Sequence, residues 1–493
     1  MASSTDESGG NISADIVVLG GGGAGMAAAI TAVESGCRSV IVLEKRAVVG
    51  GNSGTGGGPG AIGGPVARRQ GLEVSKDEFF KIAMEWAHWK TNPWLVRALI
   101  DKSGETIEWL EEKGLRFFPL MMGPTYHVPV GEGRKMMSLL KTRAEELGVR
   151  IFVRSGATRI LTNDNGSVVG VEAQTRGKAF RVGAKSVIIA TGGYGSNPEL
   201  LRRYCGSYVD GMEYYGVPNT GDGLQMAIAV GAAIDNAGTM LLEGPLGNTN
   251  IRLPITRGER ETIRVPLVSF AWEPYLLWVN SDGRRFVTEE ARAFDAGNAV
   301  ARQPGNLCFV LFDTAICTKI SERGFRRGRP LPDAPAELQR GPLPGLPEAL
   351  EAQAQLGAIK IAASWSEIAK WVGCDKMALE TTVAEYNDAC AHNYDPLFCK
   401  DRENLVPLLS PPYYAIRCAS AFLDTIGGIK INERTEVMNT AGQVIPGLYA
   451  AGVVTGGWEG ETYCFRLLGS ARGFSLTAGR IAGANAAAYM RRS

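Results

Sequence analysis

The sequence predicts an α/β fold in which a domain with a parallel sheet is interrupted by an inserted α+β domain. Three observations support this. A strand–helix–strand pattern spans residues 15–44. Residues from about 236 to 419 include Pro-rich stretches and mix predicted strands with helices, and the pattern of the first domain returns near the C-terminus. At 493 residues the chain has room for two or three domains.

The first part of the parallel-sheet domain is predicted over residues 15–235, after a flexible lead over 1–14. Short apolar runs ending in glycine indicate strands, and longer runs with 3.6-residue periodicity indicate helices. The predicted elements are a strand over 15–20, a helix over 24–35, a strand over 39–44, two helices within 77–113, a helix over 136–147, a strand over 150–153, an antiparallel meander over 158–182, a strand over 186–190 and a helix over 221–231.

The inserted domain is predicted over residues 236–419, and the parallel-sheet domain resumes over 420–493. The insertion contains a Pro-rich stretch over 329–347 and two helical patches over 365–372 and 375–391. The last part has a hairpin through 438–443, a strand over 448–451 and an Ala/Gly-rich helix over 470–490. We therefore expect one discontinuous domain and one continuous insertion.

Composition excludes several classes of function. The net charge is +1, which gives no electrostatic basis for binding nucleic acid. The 9 cysteines and 3 histidines are scattered without metal-ligand spacing, so no metal site is predicted. No apolar run reaches membrane-spanning length, and residues 1–14 lack the order of a signal peptide, so we expect no membrane span and a cytoplasmic location.

A glycine motif follows the first predicted strand. Gly20-x-Gly22-x-x-Gly25 opens a helix, and Glu44 ends the next strand about 20 residues later. The first glycine makes the tight turn, the second lets the backbone approach a pyrophosphate, and the third permits close helix packing. A plain glycine-rich turn is the alternative, but the position of Glu44, suited to a ribose, favours a dinucleotide.

Further glycine clusters favour FAD over NAD, because they supply more backbone-lined loops than a bound NAD requires. The cluster over 50–64 follows the acidic strand, and others follow the strands at 186–190 and 448–451. The final helix could direct its N-terminus at the flavin. The predicted cofactor-binding residues are Gly20, Gly22, Gly23, Ala24, Gly25, Glu44, Lys45, Gly51, Asn52, Ser53, Gly57, Gly58, Ala190, Thr191, Gly192, Asp222, Gly452 and Ser470.

Several segments in combination carry a family resemblance over nearly the whole chain. They are VVLGGGGAGMAAA with LEK, GGNSGTGGG, IIATGGYG, NTGDGLQMA, VNSDGRRFVTEE, TEVMN with VIPGLYAAGVVTGG, and RLLGSARGFSLTAGRIAGANAA. The chain resembles the fumarate reductase/succinate dehydrogenase flavoprotein family, with its relatives the flavin ene-reductases and 3-ketosteroid dehydrogenases. The resemblance implies a Rossmann-type FAD-binding domain with an inserted α+β capping domain. It also implies non-covalent FAD, because no histidine occupies residues 50–58.

The resemblance also implies site residues. Arg466 matches the family arginine that clamps a substrate carboxylate, for which the guanidinium fork is suited. Arg292 lies one residue early, in an ungapped comparison, relative to the arginine that donates a proton in fumarate reductases. A surface or structural role is the alternative for Arg466.

Other positions depart from the fumarate-reducing pattern. The segments 241–245 and 423–427 carry no histidine where the family's substrate-binding histidines are expected, and the acid–arginine relay is absent at 272–274. Val453 replaces an expected FAD-contacting glutamate. Fumarate is therefore a poor candidate substrate.

The ketosteroid branch offers a second comparison. Tyr126 lies in a segment similar to that branch's tyrosine-containing segment over the substrate, and Gly469 matches a backbone N–H that polarises a ketone. Tyr126 or Tyr463 would supply the second donor of an oxyanion hole. An ordinary buried tyrosine is the alternative for Tyr126.

We therefore expect an FAD-dependent oxidoreductase that acts on a CH–CH or C=C bond beside a carbonyl or carboxylate of a small substrate, by hydride transfer with flavin N5. An α,β-dehydrogenase of a cyclic ketone or keto acid is the alternative, and a non-catalytic electron-transfer subunit is a further one. The expected partners are a small carboxylate or ketone and a separate electron donor or acceptor, such as a quinone, oxygen or a reduced carrier.

Overall fold

The computed structural model describes residues 12–246, 250–254, 262–291, 293–327 and 341–491. The chain divides into two units, the first formed by residues 1–206, 216–241 and 423–493 and the second by 207–215 and 242–422. These bounds differ from the expected 236–419, because a strand over 234–246 continues through the first expected boundary. The second unit also takes up the short segment 207–215. The expected three-part division stays a prediction.

The strands and helices follow the chain in the order below. The strands are β1 (Ile12–Leu19), β2 (Val40–Leu43), β3 (Arg150–Phe152), β4 (Ser155–Thr162), β5 (Val168–Thr175), β6 (Lys178–Ile189), β7 (Glu213–Tyr214), β8 (Ile234–Leu246), β9 (Asn250–Pro254), β10 (Thr262–Pro266), β11 (Leu277–Val279), β12 (Leu307–Asp313), β13 (Ile359–Ala362), β14 (Tyr413–Ile429), β15 (Glu436–Met438) and β16 (Val444–Ala450). The helices are α1 (Gly23–Glu34), α2 (Pro65–Arg69), α3 (Lys76–Trp86), α4 (Pro93–Glu112), α5 (Glu132–Glu146), α6 (Pro198–Tyr204), α7 (Asp222–Ala229), α8 (Val268–Ala271), α9 (Ala293–Ala301), α10 (Thr314–Arg323), α11 (Leu346–Gln355), α12 (Trp365–Val372), α13 (Lys376–Ala391) and α14 (Ser470–Met490).

The sheet of the first unit brings four strand ends to one edge. Its strand order is β15-β16-β6-β1-β2-β3, with β4 and β5 forming an antiparallel extension beside β6. Strands β1, β2, β6 and β16 are parallel, and Leu19 pairs with both Leu43 and Ile189, while Ile189 pairs with Ala450. The loops after these strands therefore lie together at the carboxyl edge, where ligands bind in open α/β sheets.

Small residues explain how the first and last helices of this unit pack. Ala/Gly-rich α14 lies against α1, and a Cβ added at Gly479 or Gly483 would overlap the carbonyl oxygens of Ala24 or Ala28. Glycine at both positions lets the helix backbones approach each other. This packing fixes the N-terminal turn of α14 relative to the glycine motif.

The second unit has a six-stranded sheet in which β14 pairs with β7, β8, β12 and β13, and β12 also pairs with β11. Its core is apolar and includes Trp278, Phe270 and Phe312, all nearly inaccessible to solvent. The α/β class predicted from the sequence is confirmed, with parallel strands in one unit and mixed strands and helices in the other. Among the described residues, none of the helices combines the length and apolar character needed to cross a bilayer.

Candidate active site

A cavity lies at the carboxyl edge of the first sheet, and the residues that line it all belong to the first unit. Most of the predicted cofactor-binding residues line this cavity. They are Gly20, Gly22, Gly23, Ala24, Glu44, Lys45, Gly51, Asn52, Ser53, Ala190, Thr191, Gly192, Asp222 and Gly452. The parallel strand ends thus bring together loops that are far apart in the sequence, such as those of Gly20 and Gly452, which are 432 residues apart.

The three glycines of the motif have different surroundings. Gly20 has a φ of +104°, and a Cβ at Gly25 would overlap the carbonyl oxygen of Gly20. A Cβ at Gly22 would meet no atom within 4 Å, so this glycine borders open space in the cavity. Gly22 is also the N-cap of α1 and supplies no side-chain acceptor. The first N–H groups of α1 are therefore available to a phosphate.

Glu44 is buried beside the motif. Its Oε2 accepts a hydrogen bond from Gly21 N at 2.8 Å, and its Oε1 accepts one from Arg46 N at 2.7 Å. A carboxylate has about four acceptor positions, so each oxygen keeps one for a hydroxyl group. Lys45 forms a partly exposed ion pair with Asp222 at 2.8 Å.

Asn52 joins two further loops. Its Nδ2 donates to Asp424 Oδ2 at 2.7 Å, and its Oδ1 accepts from Val217 N at 2.7 Å. Asp424 lines the cavity, and burial raises the pKa of this carboxyl to about 7. Sequence reasoning noted the missing histidine over 423–427 but did not select Asp424. The feature of the sequence that could have identified Asp424 is a single carboxylate within an otherwise apolar run.

The N-terminus of α14 gathers the predicted carbonyl-binding groups. The Tyr126 hydroxyl accepts from Gly58 N at 3.0 Å, and the Tyr126 ring lies so close to Gly469 that an added Cβ would be 2.8 Å from Cδ2. Gly60 N donates to Gly469 O at 2.7 Å. Tyr126 and Gly469 are therefore neighbours, although neither lines the cavity.

The remaining predicted residues have distinct positions. Tyr463 is buried, and burial raises the pKa of its hydroxyl. This hydroxyl accepts a hydrogen bond from Ala471 N at 3.4 Å, in the first turn of α14. Arg466 is exposed and has no ion pair within the described part of the chain. Gly25, Gly57, Gly58 and Ser470 do not line the cavity. Arg292 lies outside the described residues.

Arg472, in the first turn of α14, was missed by sequence reasoning. It lines the cavity, and its guanidinium donates to carbonyl oxygens of the loop 52–57, including Gly56 O at 2.9 Å. The sequence could have identified Arg472 by its place in the first turn of a predicted helix, because a cation is unfavourable there.

The donors and acceptors of this cavity fit FAD. The glycine motif leaves open space at Gly22, the start of α1 offers unused N–H groups, and Glu44 keeps acceptors for hydroxyls. The Thr191 hydroxyl, on the cavity wall, is buried without a hydrogen-bond partner among the described residues. Within those same residues, no group of three His, Cys, Asp or Glu side chains could hold a metal. A large ligand rich in oxygen acceptors and hydroxyls matches this arrangement.

Comparison with known proteins agrees with this fit. The family model described as FAD binding domain matches residues 15–463. The vinyl phenol reductase of Lactiplantibacillus plantarum is 29% identical over 96% of this chain and 96% of its own. The probable fumarate reductase Ifc3 of Shewanella frigidimarina is 30% identical over 96% of this chain and 75% of its own.

A solved structure supports the fold. The 3-ketosteroid-Δ4-(5α)-dehydrogenase of Rhodococcus jostii RHA1 has 23% identity, a TM-score of 0.74, and a match to 99% of this chain and 98% of its own. The predicted cofactor is confirmed by the family match. The chain therefore belongs to the FAD-binding flavoprotein family of the fumarate reductases and is an FAD-dependent oxidoreductase.

Proposed function

We propose that this enzyme reduces the C=C bond of a small unsaturated substrate whose double bond is conjugated to a single carboxylate or to a ketone. The observation that carries the proposal is Arg466. This exposed guanidinium has no ion pair within the described part of the chain, and it lies three residues before Gly469, the N-cap of α14. An arginine without a protein anion is suited to a carboxylate of the substrate.

Each group has a role in this proposal. FAD, when bound, supplies hydride chemistry at the double bond. The glycine motif and Glu44 hold the cofactor, and Arg466 orients the substrate through its carboxylate. Tyr126 carries a hydroxyl whose acceptor position is occupied by Gly58 N at 3.0 Å, so its own proton remains available for donation to a substrate atom. Arg292 stays a second candidate proton donor, on the resemblance alone.

The substrate differs from a dicarboxylate in this proposal. The family's substrate-binding histidines are missing, and Asp424 stands in one of the two segments concerned. A carboxyl at this position, whether ionised or protonated, supplies no positive charge to hold a second substrate carboxylate. The vinyl phenol reductase relative is named for a substrate without two carboxylates, which supports the same choice.

The reverse reaction, α,β-dehydrogenation of a cyclic ketone, is the second candidate. The close approach of Tyr126 to Gly469 favours it, because a hydroxyl and a backbone N–H can together polarise a ketone. In both directions a separate carrier exchanges electrons with the flavin. The cytoplasmic location stays a prediction.

An anaerobic titration tests the proposal. The protein is reduced with dithionite and mixed with unsaturated monocarboxylates, fumarate, a vinyl phenol and cyclic enones, while the flavin absorbance reports reoxidation. We expect fast reoxidation by a monocarboxylate or enone and slow reoxidation by fumarate. Fast reoxidation by fumarate alone would reject the substrate class, and bleaching of the oxidised protein by saturated ketones alone would favour the second candidate.

The role of Arg466 is tested by substitution. For a carboxylate substrate, Arg466→Ala should lower kcat/KM by about 10- to 150-fold, since a charge-assisted contact is worth about 1.5–3 kcal/mol. Arg116→Ala, at another exposed arginine outside the cavity, is the matched control and should keep wild-type turnover. Full activity of Arg466→Ala would remove the carboxylate clamp.

A further inference from the structure

Arg472 is a partly buried cation on the cavity wall, and its hydrogen-bond partners among the described residues carry no charge. Its Nη2 lies 2.9 Å from Gly56 O, 3.3 Å from Asn52 O and 3.3 Å from Thr55 O, and its Nη1 donates to Gly57 O. Among the described residues, no carboxylate lies within ion-pair distance of this guanidinium. These contacts hold the charge in place without neutralising it.

The position in the helix adds to the positive potential. Arg472 is the third residue of α14, at the end where the helix dipole is positive, and a cation there is unfavourable by about 0.3–1 kcal/mol. Burial lowers the pKa of Arg472 but an arginine stays protonated in a protein. An anion in the cavity would offset both costs.

We propose that Arg472 raises the reduction potential of the bound FAD by stabilising the reduced flavin, which carries negative charge, over the oxidised flavin, which is neutral. The loop 52–57, which Arg472 holds through its carbonyl groups, contributes Asn52 and Ser53 to the same cavity. Arg472 therefore lies on the wall of the same cavity that fits FAD. The inference rests on FAD binding and is independent of the substrate class proposed above.

A second arginine of α14 provides a matched control. Arg480 lies eight residues later on the same helix, and burial also lowers its pKa. Its Nη1 donates to Thr106 Oγ1 at 3.2 Å, its guanidinium lies over the Trp109 ring, and it does not line the cavity. Replacing Arg480 removes a partly buried charge from α14 without changing the cavity wall.

The experiment measures the two-electron midpoint potential of FAD by equilibration with reference dyes in the wild type, Arg472→Met, Arg472→Gln, Arg472→Lys and Arg480→Met. We expect Arg472→Met and Arg472→Gln to bind reduced FAD at least tenfold more weakly relative to oxidised FAD, a decrease of about 30 mV. Arg472→Lys and Arg480→Met should stay close to the wild type.

The glutamine and lysine variants separate charge from loop support, because both retain hydrogen-bond donors but only lysine retains the charge. If Arg472→Met loses FAD, the midpoint potentials of Arg472→Gln and Arg472→Lys are compared instead. Equal potentials in these two variants would show that Arg472 only supports the loop and would overturn the proposal. A wild-type potential in Arg472→Met would do the same. The measurement uses no substrate, so failure of the proposed reaction would leave its result unaffected.

Discussion

One group of charged residues in each unit illustrates two arrangements of charge in the protein interior. In the second unit, Arg285 lies 2.9 Å from Glu289 and 2.8 Å from Asp395, and Lys400 lies 3.2 Å from Glu289. Two cations and two anions balance there. In the first unit, the contacts of Arg472 within the described part of the chain are to carbonyl and hydroxyl oxygens. A balanced cluster neutralises its charges within the fold, whereas an unbalanced charge beside a cavity indicates a ligand.

The largest expected effect tests the balanced cluster. Arg285→Met leaves Glu289 and Asp395 buried without this partner, and removal of one member of a buried ion pair costs about 3–5 kcal/mol. Urea denaturation should show a much lower midpoint. Arg159→Met, which breaks a solvent-exposed pair with Glu172, is the control and should keep a midpoint close to that of the wild type. Equal midpoints in Arg285→Met and Arg159→Met would show that the buried cluster contributes no more to stability than an exposed ion pair.

The next effect tests whether the first unit depends on its ligand. FAD at 100 times its Kd should stabilise the folded protein by about 2.7 kcal/mol, because only the folded state binds it. Gly22→Ala should remove most of this gain, since the added methyl fills cavity space without striking the protein. Thermal denaturation with and without added FAD measures this stabilisation in the wild type and in Gly22→Ala.

Gly206→Ala is the matched control for that substitution. An added Cβ at Gly206 also meets no atom within 4 Å, and this residue does not line the cavity. We expect the same FAD-dependent rise in Tm as in the wild type. A normal rise in Gly22→Ala would mean that Gly22 does not border the bound cofactor.

Sequence reasoning succeeded where the signal is local. The glycine motif, the strand before it and Glu44 lie within 30 residues of one another, and each has a stereochemical requirement that the sequence displays. The helices α12 and α14 have the expected bounds for the same reason. Strand β6 is longer than expected, because Lys178–Val182 continues the antiparallel meander directly into the parallel sheet.

The residues that were missed depend on distant contacts. Arg472 meets Gly57, which lies 415 residues earlier, and Asp424 meets Asn52, which lies 372 residues earlier. Nothing near either residue in the sequence specifies its partner. Their roles stay predictions, as do those of Arg466, Tyr126 and Gly469.

A third prediction concerns a buried acid of the first unit that also has no ion-pair partner among the residues that the structure describes. Glu459 accepts from Gly460 N at 3.1 Å, and burial raises the pKa of Glu459 to about 8 from its usual 4.5. The folded protein then holds a proton that the unfolded chain releases, so stability should fall as the pH rises from 4.5 to 8. The slope is at most about 1.4 kcal/mol per pH unit.

Glu459→Gln should remove this contribution, seen as the difference between wild-type and variant denaturation curves over that pH window. The difference also separates Glu459 from Asp424, whose raised pKa acts in the same direction up to about pH 7. Glu461→Gln, at the exposed neighbour paired with Lys90, is the control and should leave the pH dependence unchanged. A parallel pair of curves for the wild type and Glu459→Gln would show that Glu459 is ionised in the fold.

The smallest expected effect concerns an ion pair at the cavity that is open to solvent. The side chains of Lys45 and Asp222 are 36% and 38% exposed, so water screens their attraction despite the 2.8 Å distance. A double-mutant cycle with Lys45→Met and Asp222→Asn should give a coupling free energy of about 0.2–1 kcal/mol by urea denaturation. A coupling as large as that of the Arg285 cluster would mean that balance of charge, and not burial, determines the strength of these pairs. The expected weak coupling would leave Lys45 free to exchange Asp222 for a cofactor phosphate at little cost to the fold.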